Sequence, residues 1–115
     1  MKNNQTKKEL QAQYKEREVV GGVYVIRNIS DNKLFLDSTT DLQGTKNRFE
    51  FAKSSNLCVH LKIQADWGKR GSDSFVYEVL EELKKGAAQS SAEFKAEIDI
   101  LKEMWAEKLK DEQLY

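Results

Sequence analysis

Apolar residues form three β-like runs and several stretches at helical spacing along the chain. From Val19 to Ile26, Val, Tyr and Ile dominate and Gly21-Gly22 precede the densest part, which predicts a strand. Ser30-Asp31-Asn32 supply turn chemistry, and Lys33 to Asp37 predicts a second strand, close enough for an antiparallel hairpin. A third strand is expected over about Ser74 to Glu81, where Phe75, Tyr77 and Val79 alternate with Val76, Glu78 and Leu80.

The helical signals differ in quality. Leu10 and Tyr14 lie four apart and predict a short helix within residues 1–18, with a flexible tail as the alternative. Thr39-Thr40-Asp41 are N-cap residue types for a helix from near Asp41 to about Lys53. Leu57, Leu61 and Ala65 predict a further helix, ended by Gly68 and Gly71. Ser90 and Glu93 have capping-box spacing. Behind them Phe94, Ile98, Leu101, Trp105 and Leu109 predict a long amphipathic C-terminal helix, the clearest periodicity in the chain. The expected fold is α/β of the α+β kind. It has a small three-stranded antiparallel or mixed sheet flanked by helices, in the order α-β-β-α-α-β-α. Residues 1–18 are read as an extension and residues 19–115 as one domain.

Composition narrows the function classes without naming one. The 115 residues, 39% hydrophobic, suffice for one core. One Cys excludes an internal disulfide framework and a multi-cysteine zinc site. No apolar run approaches the length of a membrane span, and Met1 to Arg17 lack the apolar stretch of a secretory signal. A soluble cytoplasmic domain is expected. The 19 basic and 19 acidic residues cancel, so no global field announces a nucleic-acid binder. Charge is nevertheless uneven: residues 44–71 carry six bases against two acids, whereas residues 72–115 carry six against eleven. Lys46, Lys53, Lys69 and Arg70 in the basic stretch are candidates to face nucleic acid; solvated helix faces are the plainer explanation.

Gly22-Val23-Tyr24 on the first strand, then Lys33-Leu34-Phe35-Leu36-Asp37-Ser38-Thr39 on the second, resemble the GIY-YIG nuclease family. Arg48 resembles the arginine of its first helix. The run from Trp67 through Gly71 and Phe75 to Glu78-Val79-Leu80-Glu81 is similar to the family's approach to its third strand, and Leu101 and Trp105 match apolar positions of its last helix. The resemblance covers roughly residues 20–109. It implies a β-β-α-α-β-α fold and metal-assisted cleavage of DNA phosphodiesters, with Mg²⁺ or Mn²⁺ as cofactor and DNA as partner. By resemblance, Tyr24 helps to activate water, Arg48 and the second tyrosine bind phosphate, and a glutamate on the last helix holds the metal.

Several positions depart from that pattern. Phe35 stands at the second-tyrosine position and has no hydroxyl. Asp37 replaces the glycine, and Arg48 lies thirteen residues beyond Phe35, further than in the family pattern. Counting three back from Trp105, where the metal glutamate is expected, gives Lys102; Glu103 is its neighbour and the substitute candidate. Lysine has no acceptor oxygen for a hard cation. The expectation is a GIY-YIG-like domain with weak or lost phosphodiesterase activity and residual nucleic-acid binding. The alternatives are an active metal-dependent DNA endonuclease and a protein-interaction module with no nucleic-acid role. His60 and Cys58 have no catalytic motif around them and read as a surface residue and a small buried one.

Overall fold

The Val-Tyr-Ile run and the Lys33 segment form a hairpin in the computed structural model, which describes residues 18–115. Strand β1 is Val20–Asn28 and β2 is Lys33–Thr39. They pair antiparallel from Gly22 opposite Thr39 to Asn28 opposite Lys33. The buried Asn28 shapes the turn: its side-chain oxygen accepts the N–H groups of Ser30 and Asp31 at 3.1 and 3.2 Å. Helix α1 is Leu42–Ser55, capped by the Asp41 side chain accepting from the Gly44 N–H. Asn56, at φ 58°, ends it in the left-handed region. After a one-turn 3-10 helix at Leu61–Ile63 comes α2, Gln64–Arg70. Strand β3, Phe75–Lys84, returns antiparallel to β1. Helix α3, Ser91–Lys108, starts at the Ser90–Glu93 capping box expected from the sequence. Strand β4 is Gln113–Leu114.

The sheet order is β3-β1-β2-β4. Successive side chains of β1 point to opposite faces. Tyr24 and Ile26 join Phe35, Phe49, Trp67 and Phe75 in one apolar cluster beneath α1 and α2. Val23 and Val25 are buried on the other face, where α3 presents Phe94 and Ile98, both at most 1% exposed. The result is a sheet between two helical layers. Gly22 allows a close approach of β1 and β3, because a Cβ there would run into the Glu81 carbonyl oxygen. The β1–β3 register slips between Val23 and Tyr24 at that place.

The structure corrects the sequence expectation in three places. The sheet has four strands, not three, because β4 pairs parallel with Lys33 and Leu34 of β2. Two residues are too short to carry an alternation, so no local pattern marked them. The stripe Leu57, Leu61, Ala65 does not make a helix: residues 57–60 are irregular, and Leu57 and Leu61 are 59% and 83% exposed. Ile63 and Trp67, four apart, are the side chains this segment buries. Third, the apolar stripe of the last helix is not buried along its whole length: Trp105 is half-buried and its indole N–H donates to Glu81. The helix expected within residues 1–18 lies outside the described residues but for Glu18. No helix among the described residues is long and apolar enough to cross a membrane.

Candidate functional site

Tyr24, Phe35 and Arg48 line one open cavity of about 510 Å³. β1 supplies Tyr24, β2 supplies Phe35 and α1 supplies Arg48. Tyr24 and Phe35 sit two rungs apart on the hairpin, because Tyr24 is opposite Asp37, Val25 opposite Leu36 and Ile26 opposite Phe35. The two side chains therefore share the face that α1 covers. Phe35 is 4% exposed and serves as cavity wall and core at once.

Asp37 stands where the family pattern has glycine. It lies within β2 and divides its carboxylate between two partners. The Tyr24 hydroxyl faces Oδ2 at 3.5 Å, the outer limit of a hydrogen bond. Lys102 Nζ lies 3.3 Å from Oδ1. Burial chiefly, and then the Asp37 charge, push the Tyr24 phenol well above its ordinary value, outweighing the opposite pull of Arg48. Tyr24 is accordingly a neutral phenol at physiological pH and a hydrogen-bond donor.

Two residues not singled out as site residues join this group. Tyr77 of β3 stacks on Tyr24 with ring centroids 5.0 Å apart, and its hydroxyl is held up at about 12 mainly by burial. Its place opposite Ile26 follows from the β1–β3 register, which the sequence does not display. His60, expected as a plain surface residue, packs its ring on Phe35 at 4.5 Å between centroids and lines the cavity. Its Nδ1 accepts the Lys62 N–H at 3.1 Å, which caps the 3-10 helix and fixes the ring. Cys58 is half-buried beside it.

The candidate basic residues separate. Arg48 is exposed and its guanidinium donates to the Thr45 hydroxyl at 3.1 Å; among the described residues no carboxylate pairs with it. Lys46 and Lys69 are exposed and likewise have no ion-pair partner among the described residues. Lys53 is engaged inside the fold, donating to the Phe75 carbonyl at 3.0 Å, over the Phe49 ring. Arg70 grips Asp31 with two donors at 3.1 and 2.8 Å. Those two are thus holding β3 and the hairpin turn in place.

A divalent ion needs several converging oxygen ligands. Among the described residues no three His, Cys, Asp or Glu side chains cluster. Glu103 is exposed on α3, and the neighbouring Lys102 directs a cation at the Asp37 carboxylate beside Tyr24. The donor set that the described residues place around Tyr24, one carboxylate paired with a lysine, does not suit Mg²⁺ or Mn²⁺.

No protein-family model and no curated protein matches the chain. Among solved structures, it is similar to the catalytic domain of the homing endonuclease I-TevI at 23% identity and a TM-score of 0.57, covering 78% of this chain and 88% of that one. A mutant of the catalytic domain of the intron endonuclease I-TevI, with alanine in place of a glutamate, is similar at 22% identity and a TM-score of 0.57, covering 79% and 84%. At this identity the likeness speaks for the path of the backbone and leaves the chemistry to the side chains. The hairpin carrying Tyr24, the helix carrying Arg48 and the returning third strand together make a GIY-YIG-like fold, similar to that of a homing-endonuclease catalytic domain.

Proposed function

We propose that this domain binds DNA phosphodiesters at the Tyr24–Arg48 cavity and cleaves them weakly or not at all. The observation that carries this reading is the meeting of Tyr24 and Arg48, which has no carboxylate partner among the described residues, on one open cavity beside a carboxylate already paired with Lys102. A planar guanidinium can bond two phosphate oxygens at once, and Arg48 has donors to spare. Tyr24 adds a neutral hydroxyl donor. Hydrolysis asks for more, because negative charge grows on the phosphate oxygens in the transition state. Phe35 contributes no hydroxyl there, and among the described residues no group of carboxylates gathers to seat a divalent ion. In this reading the domain works without Mg²⁺ or Mn²⁺, in the cytoplasm, and Lys46 and Lys69 add backbone contacts.

The test is binding and cleavage of plasmid and branched DNA by the full chain, with and without magnesium or manganese. Salt-sensitive binding that Arg48→Ala weakens, with little or no cleavage, is the expected result. Fast metal-dependent cleavage abolished by both Tyr24→Phe and Arg48→Ala would overturn the loss of activity. Absent or salt-insensitive DNA binding would overturn the nucleic-acid reading and favour a protein-interaction module.

A further inference from the structure

The cavity is polar at one end and hydrocarbon at the other. Thr45 and Arg48 come from the first half of α1, beside the Tyr24–Asp37 rung. Ala52 comes from the second half and shares an apolar cluster with the Ile26–Phe35 rung, and the His60 ring packs on Phe35. Two residues of strand separate the rungs, roughly 7 Å, about the span from a phosphate through its sugar to its base. Phe51 and Leu57, 65% and 59% exposed, stand at the apolar end.

A phosphate alone does not account for this shape. It is a strongly hydrated anion that gains nothing from hydrocarbon walls, and 510 Å³ is the size of a small organic ligand's site. The occupant that matches both ends is an anion joined to a flat, weakly polar body. His60 is built to meet such a body. Its ring is exposed, tilted 38° against Phe35, and held by the Lys62 N–H at Nδ1. The neutral ring then carries its proton on Nε2, a donor for a base edge. A pre-set aromatic ring loses little freedom on stacking, and every base presents a π face.

We propose that the apolar end of this cavity takes one unstacked base of single-stranded nucleic acid, against His60 and Leu57, while Arg48 holds the attached phosphate. The proposal rests on the phosphate-binding reading of Arg48 and adds the substrate class. Paired bases inside a duplex are stacked and cannot enter, so single strands, loops and ends are preferred over uninterrupted duplex.

The experiment compares a short single-stranded DNA with the same strand made abasic at its central positions, each titrated against the full chain at several salt concentrations. Two variants accompany it: His60→Asn, which keeps a capping acceptor for the Lys62 N–H while removing the ring, and Leu57→Ser, at an exposed position. The base-bearing strand is expected to bind about tenfold tighter than the abasic one, and each variant to shrink that preference while leaving the salt dependence in place. An aminopurine in the central position is expected to change its fluorescence on binding. Equal affinity for the two strands would overturn the base pocket and leave the phosphate site standing. A preference unchanged in both folded variants would overturn the assignment to His60 and Leu57. Loss of salt-dependent binding for both strands would overturn the phosphate reading itself.

Discussion

Lys102 Nζ lies 3.3 Å from Asp37 Oδ1, joining the helix on one face of the sheet to a carboxylate that looks toward the tyrosine of the other. The two residues are 65 positions apart. Their side chains are 41% and 32% exposed, so the pair is half-solvated and weak as a stabiliser. Its importance is electrostatic: a cation of the chain's own occupies the neighbourhood of Tyr24, where the family resemblance puts a metal ion.

Lys102→Glu turns this attraction into a repulsion between two carboxylates. Stability at neutral pH is expected to fall by about 1 kcal/mol, a melting shift of roughly 4–8 °C for a domain of this size. Manganese is then expected to raise the melting temperature of the variant and not that of the native protein, because only the variant offers two converging carboxylates. Equal manganese stabilisation of both proteins, measured by thermal unfolding, would show that the native site holds metal after all.

Among the described residues Arg48 is exposed and its one side-chain hydrogen bond goes to Thr45, so its removal tests binding with little disturbance of the fold. Arg48→Ala is expected to change folding stability by no more than about 0.5 kcal/mol. DNA affinity is expected to drop, and the slope of log affinity against log salt to fall by about one. Denaturant unfolding and a salt series of binding curves measure the two quantities. An unchanged salt slope would place the phosphate elsewhere.

Gly22 precedes the Val23-Tyr24 pair for a packing reason. Its φ is 157° and the Glu81 carbonyl fills the space of a Cβ. Gly22→Ala is expected to destabilise the domain by roughly 3 kcal/mol, since β1 and β3 must part where the register already slips. Urea unfolding provides the value. A near-neutral result would mean that the strands separate without penalty.

Alkaline pH is expected to unfold the protein earlier than its charge alone would. Burial, and for Tyr115 also its bond to Asp66, hold the Tyr77 and Tyr115 hydroxyls up at about 12. In the unfolded chain such groups titrate near 10. The folded state keeps protons that the unfolded state loses, so stability is intact below about pH 10 and declines from there toward about pH 12. Tyr115 accepts from the buried Asn28 at 2.9 Å and donates to Asp66 at 2.6 Å. Tyr115→Phe is expected to cost about 1 kcal/mol at neutral pH and to flatten the alkaline decline. Melting temperatures of both proteins across this pH range are the check. Parallel curves would remove Tyr115 from the account.

The sequence by itself determined the elements that short-range physics encodes. Alternation and β-branched residues marked β1 and β3, turn residues between Lys33 and Asn28 marked the hairpin, and the Ser90–Glu93 box with Phe94 and Ile98 marked α3. The motif residues also pointed to Tyr24 and Arg48, which the fold brings to one cavity. Tertiary structure alone decided which charges are engaged inside the fold. Lys53 and Arg70 look like any basic residue in the chain, yet their acceptors lie 22 and 39 positions away and meet them only after the sheet and helices pack. The same holds for β4, whose two residues become a strand through the edge of β2, and for the Leu57–Leu61 spacing, which faces solvent because Ile63 and Trp67 reach the core first. Periodicity records what neighbours along the chain prefer. A site is made by residues distant along the chain, and their distances exist only in the folded molecule.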